Sequence, residues 1–269
     1  MSISSIKNND LQIHIKKKTK MDKLIDADYY IKKKLIKPNK LPNILPNQSF
    51  LWLLIGPPRS GKSTYIESLI TAEDIKNKRQ SYIGLFKKII FFTPQIEDFE
   101  NEDFNELTDV YTELTMENLE EAEAIAQEQY DNGEQTLIIF DDMGSNFRST
   151  FKVQKKLEQI SFNHRHMGMS IFFCAQTYVS LSPDMRKSIR LMTLFAMDIM
   201  SERDMIFGDL PIKKEIYDDL YKYVFNNKED KNKIDNLGRT LKNTLFIDKS
   251  KLRSPDIVLY KNFDVITIK

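Results

Sequence analysis

Several short stretches of the chain are apolar at nearly every position: Leu51–Ile55, Ile89–Phe92, Leu137–Phe140, Met169–Ala175 and Leu191–Met197. Strands buried on both faces read this way, whereas strands with one solvated face alternate. Between them the apolar spacing turns helical. Val153, Leu157 and Ile160 share a face within 151–163, Thr64–Ile70 follows the first strand, and Met116–Tyr130 is rich in alanine and glutamate. Pro183–Arg190 predicts a short basic helix, and Ile216, Leu220, Val224 and Phe225 predict a later one. Strands alternating with helices predict an α/β fold: a mainly parallel sheet with right-handed crossovers, flanked by helices. Residues 243–248 and 256–260 predict a small C-terminal β-hairpin.

The first strand runs into Gly56-Pro57-Pro58-Arg59-Ser60-Gly61-Lys62-Ser63-Thr64, which fits G-x-x-x-x-G-K-[ST] between a strand and a helix. Backbone N–H groups of such a loop converge on phosphate oxygens, and the helix N-terminus adds partial positive charge. Lys62 is placed for the outer phosphates and Ser63 for Mg²⁺. The pattern is short, but its required context is present. The loop is therefore read as binding a nucleoside triphosphate. Pro57 and Pro58 supply no N–H, so part of the cradle must come from Ser60, Gly61 and Lys62.

The strand at 136–140 ends in Asp141 and Asp142. It is expected beside the loop strand, with Asp141 orienting Mg²⁺ through water and Asp142 polarising the attacking water. The strand at 169–175 ends in Gln176, at the sheet edge where ligands of open α/β folds bind, so its amide is a candidate sensor of the γ-phosphate or that water. His164 and His166 lack a third nearby ligand and read as ordinary hydrogen-bonded histidines rather than a metal site.

Formal net charge is only +1, but its distribution is uneven. Residues 1–48 hold eleven lysines against four aspartates, and Phe91–Tyr130 hold thirteen acidic residues with no Lys or Arg. Residues 1–48 are read as a basic arm, separate from a nucleotide-binding domain at 49–269. The arm either touches nucleic-acid phosphates or wraps its own domain or a neighbour. The acidic run is read as a solvated face. Lys152, Lys155, Lys156, Arg186 and Lys187 are further candidates for phosphate contact. A single cysteine, Cys174, allows no internal disulfide and fits a reducing compartment. No apolar run reaches the length of a membrane span, so a soluble protein is expected.

With these residues placed, the chain resembles the viral genome-packaging ATPases of the poxvirus and giant-virus type. These lie within the FtsK–HerA superfamily of P-loop motors, a RecA/FtsK-like fold. The resemblance rests on Gly56–Ser63, Ile138–Asp142, Arg165–Gly168 leading into Cys174–Tyr178, and Leu181–Arg186. It implies ATP and Mg²⁺ as ligands, with packaging of double-stranded DNA into a capsid as the function. It also implies a ring of five or six copies, contact with capsid proteins, and action in the host cytoplasm or virion. It further implies that Arg165, three residues before Gly168 and eleven before Gln176, is an arginine finger completing a neighbour's site. By itself Arg165 also reads as a cation compensating a helix dipole. Asp142 departs from the glutamate usual in the wider superfamily, which leaves the catalytic base open between Asp142 and another group.

Other readings compete. Asp141–Gly144 fits D-x-x-G and Asn227–Asp230 fits N-K-x-D, the marks of a GTPase, but the second follows a helix in a lysine-rich stretch instead of a strand. A non-catalytic scaffold needs neither Asp142 nor Gln176. A small-molecule kinase needs a basic lid, for which acidic 97–128 is unsuited. DNA pumping for transfer or segregation shares every motif with packaging.

Overall fold

A computed structural model describes residues 5–8, 11–15, 45, 46, 49–71, 73, 74, 79, 80, 82, 85–94, 108–226, 243–249, 257–262 and 264–268. The strands of the predicted core are β3 (Leu51–Ile55), β6 (Lys88–Phe92), β8 (Thr136–Phe140), β9 (Met169–Ala175) and β10 (Leu191–Phe195), joined by β7 (Thr108–Tyr111). They lie in the order β10-β3-β9-β8-β6-β7, and every pair is parallel. Helices connect them: α1 (Lys62–Thr71), α2 (Met116–Asp131), α3 (Phe151–Asn163) and α4 (Pro183–Ser188). Beyond β10 come α5 (Met200–Gly208) and α6 (Lys214–Phe225).

The sheet continues past β10 with antiparallel strands. β11 (Thr244–Asp248) pairs with β10, then β12 (Ile257–Lys261) and β13 (Asp264–Ile268) follow. β2 (Leu11–Ile15) and β1 (Ser5–Asn8) finish that edge. The expected C-terminal hairpin is thus an extension of the main sheet, with β13 added. A small separate pair, β4 (Glu73–Asp74) and β5 (Arg79–Gln80), follows α1.

Alternation along β3 explains its unbroken apolar run. Leu51, Leu53 and Ile55 join the core on one face, while Trp52 and Leu54 join the core on the other. Phe92, Phe140 and Phe173 stand side by side on β6, β8 and β9, with ring centroids 4.9 and 5.1 Å apart, and so pin the register of three strands. The Trp52 indole N–H donates to Thr193 Oγ1 at 2.8 Å, which satisfies the polar atom that a buried tryptophan brings. Helix starts are capped by hydroxyls: Thr115 accepts from Asn118 N, Thr150 from Val153 N and Ser182 from Met185 N.

One expectation is corrected here. The strand carrying Asp141 and Asp142 is not beside the loop strand, because β9 lies between them. β3 pairs with β9 from Leu51↔Ile171 to Ile55↔Ala175, and β9 pairs with β8 from Thr136↔Met169 to Phe140↔Phe173. Gln176 therefore emerges between the phosphate loop and the two carboxylates.

Glu158 joins α3 to α4 from a buried position. It accepts from Ser182 Oγ at 2.7 Å, Gln154 Nε2 at 3.0 Å and Lys155 Nζ at 2.7 Å. Burial pushes its carboxyl up, but those hydrogen bonds and the Lys155 charge outweigh it and hold it at about 2. A depressed folded value stabilises the fold above the ordinary value of 4.5, and this is lost as pH falls toward about 2. Glu158→Gln should lower stability near neutrality by about 1–3 kcal/mol. Denaturant midpoints measured from pH 7 downward should show the gap to wild type closing in acid. A constant gap would contradict the ion-pair account.

Candidate nucleotide site

The phosphate loop leaves β3 at a crowded point. A Cβ built on Gly56 would lie 2.6 Å from Phe195 Cβ and 2.9 Å from Ser60 Oγ, so only glycine lets the loop pass beneath β10. Arg59 (φ 58°) and Gly61 (φ 97°) take left-handed conformations that wrap the loop. Ser60 N–H closes an internal turn on Pro57 O at 3.2 Å, so it is used within the loop. Tyr65 N–H to Gly61 O, at 2.9 Å, is the first helical bond of α1. The N–H groups of Lys62, Ser63 and Thr64 thus point out of the helix end, as an anion-binding N-terminus requires. Of the three cradle donors expected from the sequence, Ser60 is thus turned inward on the loop.

Lys62 is 8% exposed and folds over the loop, donating to Gly56 O at 2.9 Å and Pro57 O at 3.0 Å. Ser63 Oγ donates to Asp141 Oδ2 at 2.5 Å, joining the helix start to the end of β8 across the intervening strand. A hydroxyl and a carboxylate meeting beside a phosphate cradle form a hard-oxygen set suited to Mg²⁺, which takes only one or two protein oxygens and fills its octahedron with phosphate and water. Among the described residues there is no cluster of three or more His, Cys, Asp or Glu able to hold a metal alone.

Asp142 is exposed, with φ 54°, and its Oδ1 accepts from Gln176 Nε2. The left-handed turn swings its carboxylate away from β8 toward the end of β9. Cys174 lies below, buried beside Asp141. Burial first, and the nearby carboxylate second, push its thiol well up, so it stays protonated and takes no part as a nucleophile.

Arg165 stands apart from this group. It is exposed on the turn His164–Met167, ahead of β9, while the loop, Asp141, Asp142 and Gln176 stand at the other end of the strands. Seven strand residues at ~3.3 Å each put roughly 23 Å between Arg165 and its own phosphate loop. His164 is buried with Nδ1 2.7 Å from Ser161 O, and burial pushes its ring down so that it is neutral. Gly168 ends the turn with φ 58°, tight against Tyr130.

The basic candidates are mostly engaged within the chain. Lys155 pairs with Glu158, Lys156 with Glu123 at 2.5 Å and Lys187 with Asp184 at 3.5 Å. Arg186 lies over the Tyr178 ring and 3.8 Å from Asp209. Lys152 is exposed. Two contacts had no local sequence signal: Arg148 donates to Leu181 O at 2.6 Å, and Tyr178 N–H donates to Glu202 at 2.7 Å. Both tie the segments leaving the site strands to their surroundings. Asn227–Asp230 lie outside the described residues, as do residues 16–44 of the basic N-terminal stretch.

A phosphate loop, a hydroxyl–carboxylate pair and a glutamine-ended strand inserted between loop and acid strands define a P-loop nucleoside triphosphatase. The chain belongs to the Poxvirus A32 protein family, whose model matches residues 41–253. Its fold is similar to that of B204, the DNA-packaging ATPase from Sulfolobus Turreted Icosahedral Virus. Identity is 16% and the TM-score 0.54, over 80% of this chain and 97% of that one. It is also similar to the genome packaging NTPase B204 from Sulfolobus turreted icosahedral virus 2 in complex with AMPPCP, at 15% identity and TM-score 0.51, over 80% and 97%. No curated protein sequence matches the chain. Among the described residues no helix is long and apolar enough to cross a membrane.

Proposed function

We propose that this chain is an ATP-driven translocase that moves double-stranded viral DNA into a capsid. The observation that carries the reading is the joining of Ser63 to Asp141 and of Gln176 to Asp142 at one sheet edge, beside Lys62. Membership of the A32 family, and a fold shared with a DNA-packaging ATPase, support packaging over other DNA pumping. The GTPase reading loses its support because β9 separates the loop and acid strands, an insertion that the D-x-x-G match does not anticipate.

In this reading the N–H groups of Gly61–Thr64 hold the phosphates, and Lys62 moves from the loop carbonyls to the β- and γ-oxygens. Ser63 and Asp141 would hold Mg²⁺, which when bound neutralises charge developing on those oxygens. Asp142, released from Gln176, accepts the proton of the attacking water, and the Gln176 amide turns to the γ-phosphate. Arg165 acts in trans, since its own site is beyond reach, and stabilises charge on a neighbour's γ-phosphate. A ring of five or six copies, which the family resemblance implies, would bring such neighbours together. The DNA is held through phosphates, because a motor that advances along any sequence cannot depend on base edges. Lys152, exposed on α3, and the lysines of the N-terminal stretch are the cations assigned to this contact.

ATP hydrolysis by the full chain should rise several-fold with long double-stranded DNA, and the rise should fade steeply between 50 and 200 mM salt. Preference for GTP, or a rate indifferent to DNA, would remove the motor reading.

A further inference from the structure

The turn bearing Arg165 also carries a large apolar side chain. Phe162, at the end of α3, is 55% exposed, and Arg165 and His166 are exposed just after it. At the opposite sheet edge a second apolar group is exposed: Val179 after β9, and Ile199 (60%), Met200 (63%) and Met205 (37%) after β10. Tyr178 holds these two segments together, donating from N–H to Glu202 and from its hydroxyl to Asp209 at 2.8 Å. The group follows the end of β10, where Phe195 is pressed onto Gly56 of the phosphate loop. Asp198 adds an exposed carboxylate there, with no hydrogen bond or ion pair among the described residues.

Scattered exposed apolar residues need no explanation, but a group beside polar residues marks an interaction site. Here two unlike surfaces occupy opposite ends of the strands. One offers an aromatic ring and cations, the other a methionine-rich patch and a carboxylate. Complementary surfaces on different parts of a molecule make a heterologous contact, which repeats head to tail and closes into a ring where the rotation allows. Methionine adapts its shape to an aromatic partner and attracts it through sulfur.

We infer that the occupant is a second copy of this chain: Phe162 of one copy packs on the Ile199–Met200 patch of the next. This contact delivers Arg165 to the neighbour's phosphate loop, three residues (~4.5 Å of helical rise) from the anchoring ring. The inference rests on the trans role of Arg165 given above, and it specifies the surfaces that bring the role about.

Cys174 is buried and is the only cysteine, so introduced thiols can be read against it. The full chain carrying Phe162→Cys and Met200→Cys, assembled with AMPPCP and DNA, is treated with a short bis-maleimide and run on a denaturing gel. A ladder of multimers is expected for the double variant and monomer for each single variant. Dimers from a single variant would mean a face-to-face contact between like surfaces. A lack of ladder, whether sedimentation finds monomers or oligomers, would likewise overturn the inference. Phe162→Asp gives a second reading without linkage, and sedimentation should find it shifted to monomer. ATP hydrolysis of the unlinked wild type separates the two claims. Hydrolysis stimulated by DNA with no ladder removes the contact and leaves the proposed function, whereas a ladder without hydrolysis does the reverse.

Discussion

Lys62→Ala is expected to lower ATP hydrolysis by on the order of 10²–10³-fold, the effect of deleting one preorganised donor from a charged transition state. Among the described residues the ammonium is the side-chain cation that the fold buries against the loop, held by Gly56 O and Pro57 O beside the helix N-terminus. Removing it strips positive charge from where charge gathers on the transferred phosphoryl group. The same contacts predict how stability responds. The two loop carbonyls lose a donor, but α1 keeps its first helical bond at Tyr65, and both core clusters are untouched. The melting temperature should therefore move by only a few degrees, the size of shift ~1 kcal/mol makes in a domain of this length. Single-turnover hydrolysis and a melting curve on one preparation check both halves. Activity above a tenth of wild type would show that Lys62 does not face the phosphates.

The elements that carry the site were legible because they are buried on both faces. Leu51–Ile55, Thr136–Phe140 and Met169–Ala175 are apolar but for Thr136 and Ser170, and their ends hold the loop, the carboxylates and Gln176. Lateral order was not legible. Whether β8 or β9 lies beside β3 depends on pairing such as Leu51↔Ile171, which leaves no trace in local spacing. Likewise the Gln176–Asp142 bond joins residues 34 apart, and the need for glycine at 56 arises from Phe195, far along the chain. Lysine density drew attention from the period-two alternation of Leu11, Ile13 and Ile15, where β2 pairs with β13. The lysines of α3 read as candidates for phosphate contact because Glu123, which pairs with Lys156, is on another helix. The acidic stretch behaved similarly: its Thr108–Tyr111 portion is a strand beside β6, held by backbone pairing that its charge does not announce.

Arg165→Ala should reduce hydrolysis by ~10³-fold or more, in the range that removal of an arginine finger produces, while nucleotide affinity stays near that of wild type. The separation follows from position. Arg165 is exposed on a turn at the far end of β9 and touches nothing in its own nucleotide site, so the loop, Lys62 and the Ser63–Asp141 pair remain as they are. Lys62→Ala has the complementary defect, a disabled site with an intact arginine. Mixing the two inactive proteins should therefore restore hydrolysis, because about a quarter of the heterologous interfaces in randomly mixed rings join an intact site to an intact Arg165. A role in cis predicts no recovery at any ratio, since each chain then carries its own lesion. Exchange between rings must be shown in the same sample, by native mass spectrometry of chains differing in mass, so that lack of recovery has one meaning. With exchange demonstrated and no activity regained, Arg165 would be left compensating the end of α3, and the ring would need another source for its shared charge.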